Sequence, residues 1–266
     1  MLVNSICFCS NDDRIGRQTR LLVIVHILLK HLMFSIADNL ENVRQLIKKA
    51  SGDHGRELNE VRLLAVSKKQ DADTLYAAME QGVSSFGENY LSEALAKQDE
   101  LKQRCSESQW ASLTWYFIGP VQSNKTRLIA ERFDWVQSVD RAKGAKRLNE
   151  QRPACLAPLN VCIQLNIDAE ETKSGITLAE LPALAAQIDA ADSLCLRGLM
   201  VIPKVGQDET LQSESFRLTQ QAFIELKQQY ETVDTLSMGM SADMAAAIAH
   251  GSTMVRVGTA IFGKRL

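Results

Sequence analysis

The feature that most constrains the fold is a regular alternation of short apolar runs with helix-like patterns from residue 62 onward. Eight runs have the length and composition of strands: 62–68, 84–89, 114–119, 134–140, 159–166, 194–202, 235–241 and 253–262. Helical patterns cover 38–50 ahead of the first strand, and then 72–81, 91–103, 124–132, 141–151, 177–190, 211–231 and 243–250. Such alternation is typical of a parallel sheet. Eight repeats in 266 residues predict a single closed (β/α)₈ TIM barrel.

An open doubly wound sheet is the competing interpretation, but no GxGxxG turn follows the first predicted strand. No linker or change of composition marks a second domain, so we expect one barrel domain over residues 33–266. Residues 1–32 do not fit this pattern. Their apolar run LLVIVHILL (21–29) is too short to span a membrane. We interpret 1–32 as an extension, disordered or read from an upstream start codon, with a signal or an anchor as the alternative.

Charge and cysteine content exclude several classes of protein. The net charge of −2, without any dense basic run, gives no support for a nucleic-acid partner. The six cysteines have neither metal-ligand nor redox spacing, which favours a reducing compartment. We therefore expect a cytoplasmic monomer that binds no metal and no membrane.

Polar or small residues gather where the predicted strands end. In a barrel these carboxyl ends form one rim, and the chemistry of such folds is found there. One polar strand end is usually the start of a loop, whereas a set converging on one rim predicts a binding site. The candidate residues are Lys68, Asn89, Met200, Ser237, Ser241, Arg256, Gly258 and Thr259.

Lys68 ends the first apolar run, RLLAVSK, which has the character of a strand buried on both faces. A lysine whose side chain extends from the end of such a strand into a pocket loses hydration, and this lowers its pKa. The neutral amine can then attack an aldehyde. A lysine that caps the strand in solvent is the alternative on this segment alone.

The last two predicted strands favour a phosphate ligand. We expect Ser241 to be the N-cap of the following helix, with Asp243 in the first turn. Gly239 allows close backbone approach, and free N–H groups at a helix start bind anions. Gly258 and Thr259 would complete the phosphate site.

Phosphate together with an amine-reactive group suggests pyridoxal 5′-phosphate, held as a Schiff base on Lys68. Arg256 is the candidate partner for the ring nitrogen. Because an arginine does not readily accept the pyridinium proton, the cofactor would be a weaker electron sink.

Seven motifs are similar to those of one family. They are AVSK (65–68), FGENY (86–90), FIGPVQSNK (117–125), KSGI (173–176), RGLMVIP (197–203), SMGMSADM (237–244) and GSTMVRVGTAIFG (251–263). Together they resemble the pyridoxal phosphate homeostasis protein family (YggS-like proteins) over about residues 33–264. The resemblance implies a barrel like the N-terminal domain of alanine racemase, with the cofactor on Lys68. It also implies buffering or delivery of the cofactor, amino- and keto-acid balance, and no established catalytic reaction. Apo-enzymes that need the cofactor are the expected partners.

Three functions share the lysine. The first is a non-catalytic carrier of pyridoxal phosphate. The second is a single-domain amino-acid racemase, for which Tyr90 is the strand-end candidate for a second base. The third, a Schiff-base aldolase without cofactor, does not require the phosphate features.

Overall fold

Eight parallel strands close into a barrel in which each strand pairs with its neighbours in sequence and β8 pairs with β1. The computed structural model describes residues 36–168, 170, 174–204 and 208–263. The strands are β1 (Arg62–Val66), β2 (Ser85–Glu88), β3 (Thr114–Phe117), β4 (Trp135–Val139), β5 (Leu159–Leu165), β6 (Leu194–Val201), β7 (Thr235–Ser237) and β8 (Met254–Val257). The predicted (β/α)₈ barrel is therefore confirmed.

Helices separate the strands and cover the outside of the barrel. They are α1 (residues 36–53), α2 (Ala72–Glu80), α3 (Leu91–Arg104), α4 (Glu107–Ala111), α5 (Thr126–Arg132), α6 (Ala142–Gln151), α7 (Leu181–Asp189), α8 (Glu209–Gln229), α9 (Met244–Ala249) and α10 (Thr259–Phe262). The short α4 and a 3₁₀ turn at Leu58–Glu60 were not predicted, because neither segment is long enough to develop an apolar stripe. The predicted extension at 1–32 lies outside the described residues.

Side chains of the strands alternate between the barrel interior and the helical layer. In β1, Leu64 belongs to the inner cluster and its neighbour Ala65 to the outer core. The inner cluster consists of Leu64, Tyr116, Trp135, Cys162, Met200 and Met254. Because both faces of the sheet are covered, the strands have the continuous apolar character that the sequence displays.

Every strand is shorter than its predicted range, and the difference is largest for the last two. The prediction of 253–262 as one strand is wrong, because β8 ends at Val257 and Thr259–Phe262 form α10. Ile261 then lies buried in the outer core, and Asn39 of α1 donates to its carbonyl oxygen at 2.9 Å. The prediction of 235–241 is also too long, because β7 ends at Ser237 and Gly239 adopts a φ of +94°.

The amino-terminal rim of the barrel is filled by Trp135 of β4. The guanidinium groups of Arg62 and Arg197 lie 5.6 and 5.3 Å from the centre of its ring, and Tyr116 stacks on it at 5.2 Å. Both arginines also pair with Asp234. This end is therefore packed and ion-paired, and the site must be sought at the other rim.

Within the described part of the chain, no helix has both the length and the hydropathy to cross a bilayer. No group of His, Cys, Asp or Glu side chains in that part is arranged to hold a metal ion.

Candidate functional site

Lys68 lies in the turn that leaves β1, two residues beyond Val66, and its side chain is half-buried. The N–H of Ser67 donates to the carbonyl of Gly87 at 3.0 Å, so pairing with β2 continues to the residue before the lysine. Gln70 N–H then donates to the Ser67 carbonyl at 3.0 Å and closes the turn. The lysine is thus fixed at the carboxyl-terminal rim, as predicted from the end of the apolar run.

Arg256 is buried at the inner face of β8 and bridges two other strands. It donates to Ser237 Oγ of β7 at 2.7 Å and to the Val201 carbonyl of β6 at 2.8 Å. Burial lowers the pKa of the guanidinium to about 10, an effect that the nearby Asp243 carboxylate opposes. Arg256 therefore remains a cation at neutral pH, held inside the barrel near the carboxyl ends of β6 and β7. Met200, which was also predicted, precedes Val201 in β6, and its side chain belongs to the inner cluster.

Gln137 extends this group across the barrel and was missed by sequence reasoning. Its Oε1 accepts from Ser237 Oγ at 2.8 Å, and its amide nitrogen contacts the sulfur of Met254 at 3.0 Å. The signal was a glutamine inside the apolar run WVQSV. The pairing of β4 with β5 shifts between Val136 and Val139, so simple alternation does not reveal which way Gln137 faces.

A cavity of about 310 Å³ opens at the ends of β2, β3, β5 and β6. Its lining residues are Asn89, Ile118, Pro120, Gln164, Leu165, Asn166, Ser174 and Ile202. None of these side chains is charged. Asn89 Oδ1 is a buried acceptor with no hydrogen-bond partner among the described residues. Of the candidate residues listed above, Asn89 is the one that lines this cavity. Asn166 also lines it, as expected for the polar residue at the end of the fifth predicted strand, whereas the Gln164 amide was not predicted.

The segment after β7 approaches the barrel end through Gly239. A Cβ on Gly239 would lie 2.6 Å from the Cβ of Ala247, so this position requires glycine. The carbonyl of Gly239 accepts from the N–H of Arg256 at 2.9 Å. The turn is closed by Asp243, whose carboxylate accepts from Met240 N–H at 2.5 Å. The loop is therefore held against β8 by both backbone and side-chain bonds.

The predicted cap at Ser241 is wrong. Asp243 is the N-cap residue of α9, and no side chain caps this helix. Asp243 is used to close the preceding turn, and this turn displaces Ser241 two residues outside the helix. Ser241 is exposed and lines an outer groove with Lys49 and Asp53, away from the cavity that Asn89 lines.

The β8 end has the second predicted glycine. A Cβ on Gly258 would lie 2.9 Å from the Val66 carbonyl, so the backbones after β8 and at the end of β1 are in close approach. Gly258 is the N-cap of α10 and Thr259 its first residue. Within the described residues, no acceptor takes the N–H groups of Thr259 and Ala260. They remain available to an anion at the β8 end of the rim.

These features satisfy the chemical requirements of a binding site for a phosphorylated aldehyde. A lysine, a buried guanidinium and a pair of backbone N–H groups lie at the ends of β1 and β8, while the cavity offers apolar walls and neutral amides. The unpaired Asn89 oxygen needs a donor, and a ligand hydroxyl is one group that supplies it. The donor set thus fits pyridoxal phosphate.

Comparison with known proteins gives the same family as the motifs. Residues 35–265 match the family described as alanine racemase, N-terminal domain. The pyridoxal phosphate homeostasis protein of Haemophilus influenzae is 50% identical over 233 residues, which cover 87% of this chain and 96% of the relative. The protein of the same name from Escherichia coli K12 is 51% identical over 233 residues, or 88% of this chain and 98% of the relative.

A solved structure supports the similarity in three dimensions. PipY of Synechococcus elongatus, determined with PLP bound, superposes with a TM-score of 0.73 at 34% sequence identity. The matched region covers 86% of this chain and 100% of that one.

Proposed function

The chain belongs to the pyridoxal phosphate homeostasis protein family, and from this we propose that it binds pyridoxal 5′-phosphate and serves its intracellular homeostasis. In this proposal it is a cytoplasmic monomer that buffers the cofactor, delivers it to apo-enzymes and so affects amino- and keto-acid balance. The observation that carries the proposal is the 34% identity to a protein whose structure holds PLP.

Each predicted residue has a role in this proposal. Lys68 would hold the cofactor through a Schiff base, and Arg256, bonded to Ser237, would be the partner of the ring nitrogen. Gly258, Thr259 and the backbone at Ser241 would bind the phosphate. Asn89 and Met200 would line the space for the ring. When bound, the cofactor supplies an aldehyde that an amine captures and releases reversibly.

The electrostatics favour a carrier over an enzyme. Arg256 is a buried cation whose two hydrogen-bond acceptors are neutral, so it does not accept a proton from the ring nitrogen and would leave the cofactor a weak electron sink. The cavity at the ends of β2, β3, β5 and β6 is lined by uncharged side chains. An amino-acid substrate would bring an α-carboxylate into that cavity, and burying an unpaired carboxylate is costly.

The first test follows colour and covalent labelling. Purified protein mixed with pyridoxal phosphate should absorb in the visible range, and borohydride should fix the cofactor to Lys68. Lys68→Ala should lose both signals, whereas Lys69→Gly, which changes the adjacent lysine, should keep them. Label mapped by mass spectrometry to Lys69 or Lys125 in the wild type would remove Lys68 from this role. Loaded protein should also transfer cofactor slowly to an apo-enzyme that needs it.

A second candidate function, amino-acid racemisation, is favoured by the match to the alanine racemase N-terminal domain. It would need a second base near Lys68, and Tyr90, which follows Asn89 and is 48% exposed, is the available strand-end tyrosine. One acid–base group typically contributes about 10²–10⁴-fold in rate. We expect no appreciable change in the chirality of alanine over hours. Robust turnover abolished by both Lys68→Ala and Tyr90→Phe would establish the racemase instead.

A further inference from the structure

Next to the end of β1 lies a largely buried group of charged side chains that the proposed cofactor contacts do not use. Glu88 of β2 is fully buried, and Lys97 of α3 is 5% exposed. Lys97 Nζ donates to Glu88 Oε1 at 2.8 Å and to Glu93 Oε1 at 2.5 Å. We call Glu88, Glu93 and Lys97 the charged bracket.

The charged bracket is bonded to the backbone on the amino-terminal side of Lys68. Lys97 Nζ donates to the Ser67 carbonyl at 2.8 Å, and Ser67 Oγ donates to Glu88 Oε1 at 2.6 Å. The same Ser67 carbonyl accepts the turn-closing bond from Gln70. The ammonium therefore fixes the residue that starts the turn.

The charged bracket also holds the residue on the other side. Lys69 has a φ of +63°, and it is the non-glycine residue with a positive φ in the described ranges. Its N–H donates to Glu93 Oε1, the oxygen that also accepts from Lys97. A left-handed conformation at a residue with a long side chain is unfavourable and persists only where its surroundings enforce it.

Stability alone does not explain this arrangement. Burying an ammonium between carboxylates has a large desolvation cost, and such groups are often replaceable by apolar side chains without loss of stability. Glu88 Oε2 has no hydrogen-bond partner among the described residues, which adds to that cost. A bracket that only tied α3 to β2 would not need bonds to Ser67 and Lys69. Its contacts converge instead on the two neighbours of Lys68.

We propose that the charged bracket selects which of two adjacent lysines enters the barrel. This inference rests on the proposed function of Lys68. The charged bracket fixes Ser67 and forces Lys69 into the left-handed region, and this directs the Lys69 side chain to solvent. The Lys68 side chain is then kept at the carboxyl-terminal rim of the barrel. Glu88, Glu93 and Lys97 are thus positioning residues. Lys69 is exposed and Lys68 is half-buried, in agreement with this selection.

The first arm of the test changes the backbone preference at position 69. Lys69→Gly accepts a positive φ without strain and should bind pyridoxal phosphate as the wild type does. Lys69→Val is disfavoured there, so a fraction of the turns should relax and the apparent affinity should fall about tenfold. Equal affinity of the two variants would overturn the proposal. Thermal unfolding of the cofactor-free proteins separates this effect from loss of folding.

The second arm removes the acceptor of the Lys69 N–H. Glu93→Ala should weaken cofactor binding about tenfold and move part of the borohydride-fixed label from Lys68 to Lys69. Glu93→Gln keeps an acceptor oxygen and should restore the wild-type labelling pattern. Glu100→Ala is the matched control, because it removes an exposed ion pair with Arg104 from the same helix. Unchanged affinity and labelling in Glu93→Ala would contradict the bracket.

A readout without the cofactor distinguishes this inference from the proposed function. In the cofactor-free wild type, an amine-acylating reagent should modify Lys68 and Lys69 in a ratio set by the turn, and Glu93→Ala should change that ratio at least severalfold. Wild-type protein that fails to bind pyridoxal phosphate but retains this acylation pattern would refute the proposed function and support the turn geometry. A pattern unaffected by Glu93→Ala would refute the bracket.

Discussion

Arg256 is the residue on which the proposed ring contact depends. Two nitrogens of its guanidinium donate to acceptors on different strands, Ser237 Oγ and the Val201 carbonyl. The single ammonium group of a lysine does not reproduce this fixed arrangement of two donors. We expect Arg256→Lys to lose one of these bonds, which corresponds to about 1.5–3 kcal/mol or roughly 10–100-fold weaker cofactor binding. Equilibrium titration followed by absorbance measures this change.

The control for that substitution lies at the opposite rim. Arg197→Lys alters a guanidinium that pairs with Asp234 and contacts Trp135, so it should lower the melting temperature without changing cofactor affinity. If both lysine variants weakened binding equally, the effect would come from the barrel as a whole and not from the ring contact.

At this scale the sequence predicted positions better than interactions. Lys68, Asn89 and Arg256 were identified because strand ends of a barrel share one rim. The role of Ser241 as a helix cap failed, because a carboxylate two residues later closes a turn that propensity does not reveal. Gln137 was missed because the irregular pairing of β4 hides which way its side chain points.

Among the elements, the start of β4 is bound to both neighbouring strands through Asp134. Its carboxylate accepts from Trp115 N–H of β3 at 2.8 Å, and its carbonyl accepts from Asn160 N–H of β5 at 3.1 Å. Burial raises the pKa of this carboxyl above its ordinary value of 3.8, although the Trp115 bond and Arg152 oppose the shift. The folded state therefore holds this proton to a higher pH than the unfolded state does.

A pH dependence of stability follows from that shift. Because the folded pKa is raised, the contribution of Asp134 is fully present below pH 3.8 and is lost as the pH rises through the folded pKa. As the pH rises from 3.8 through the folded pKa of Asp134, the free energy of unfolding of the wild type should therefore decrease relative to that of Asp134→Asn. Denaturant unfolding at several pH values measures it. Asp99→Asn, at an exposed ion pair, should change stability by about 0–1 kcal/mol. An increase of relative wild-type stability with pH would contradict the assignment.

Element boundaries were predictable where burial is continuous and failed where it changes. The apolar run after Gly258 resembles a strand in sequence, but its side chains pack as a single helical turn beneath α1. A short apolar run has no periodicity long enough to separate the two. The bond from Asn39, which is far away in sequence, is a tertiary contact that the local pattern does not reveal.

For the whole molecule, we expect the barrel domain to be independent of residues 1–32. The family match begins at residue 35, and the described barrel is complete from residue 36. A chain that starts at Met33 should have the melting temperature and cofactor affinity of the full chain. Lower solubility, or loss of the visible absorption on truncation, would show that the extension contributes to the domain.

The pairing of β1 with β8 has a consequence for how the protein is made. Arg62 pairs with Met254 and Ala65 with Val257, so the ring is closed by the first and last strands in sequence. Contacts between such distant segments must overcome a large loop entropy and usually form late in folding. During translation, β1 can pair with β2 early, but it cannot pair with β8 until that strand has left the ribosome. Until then the nascent chain has two unpaired sheet edges, which makes this interval the one most sensitive to misassociation and to chaperones.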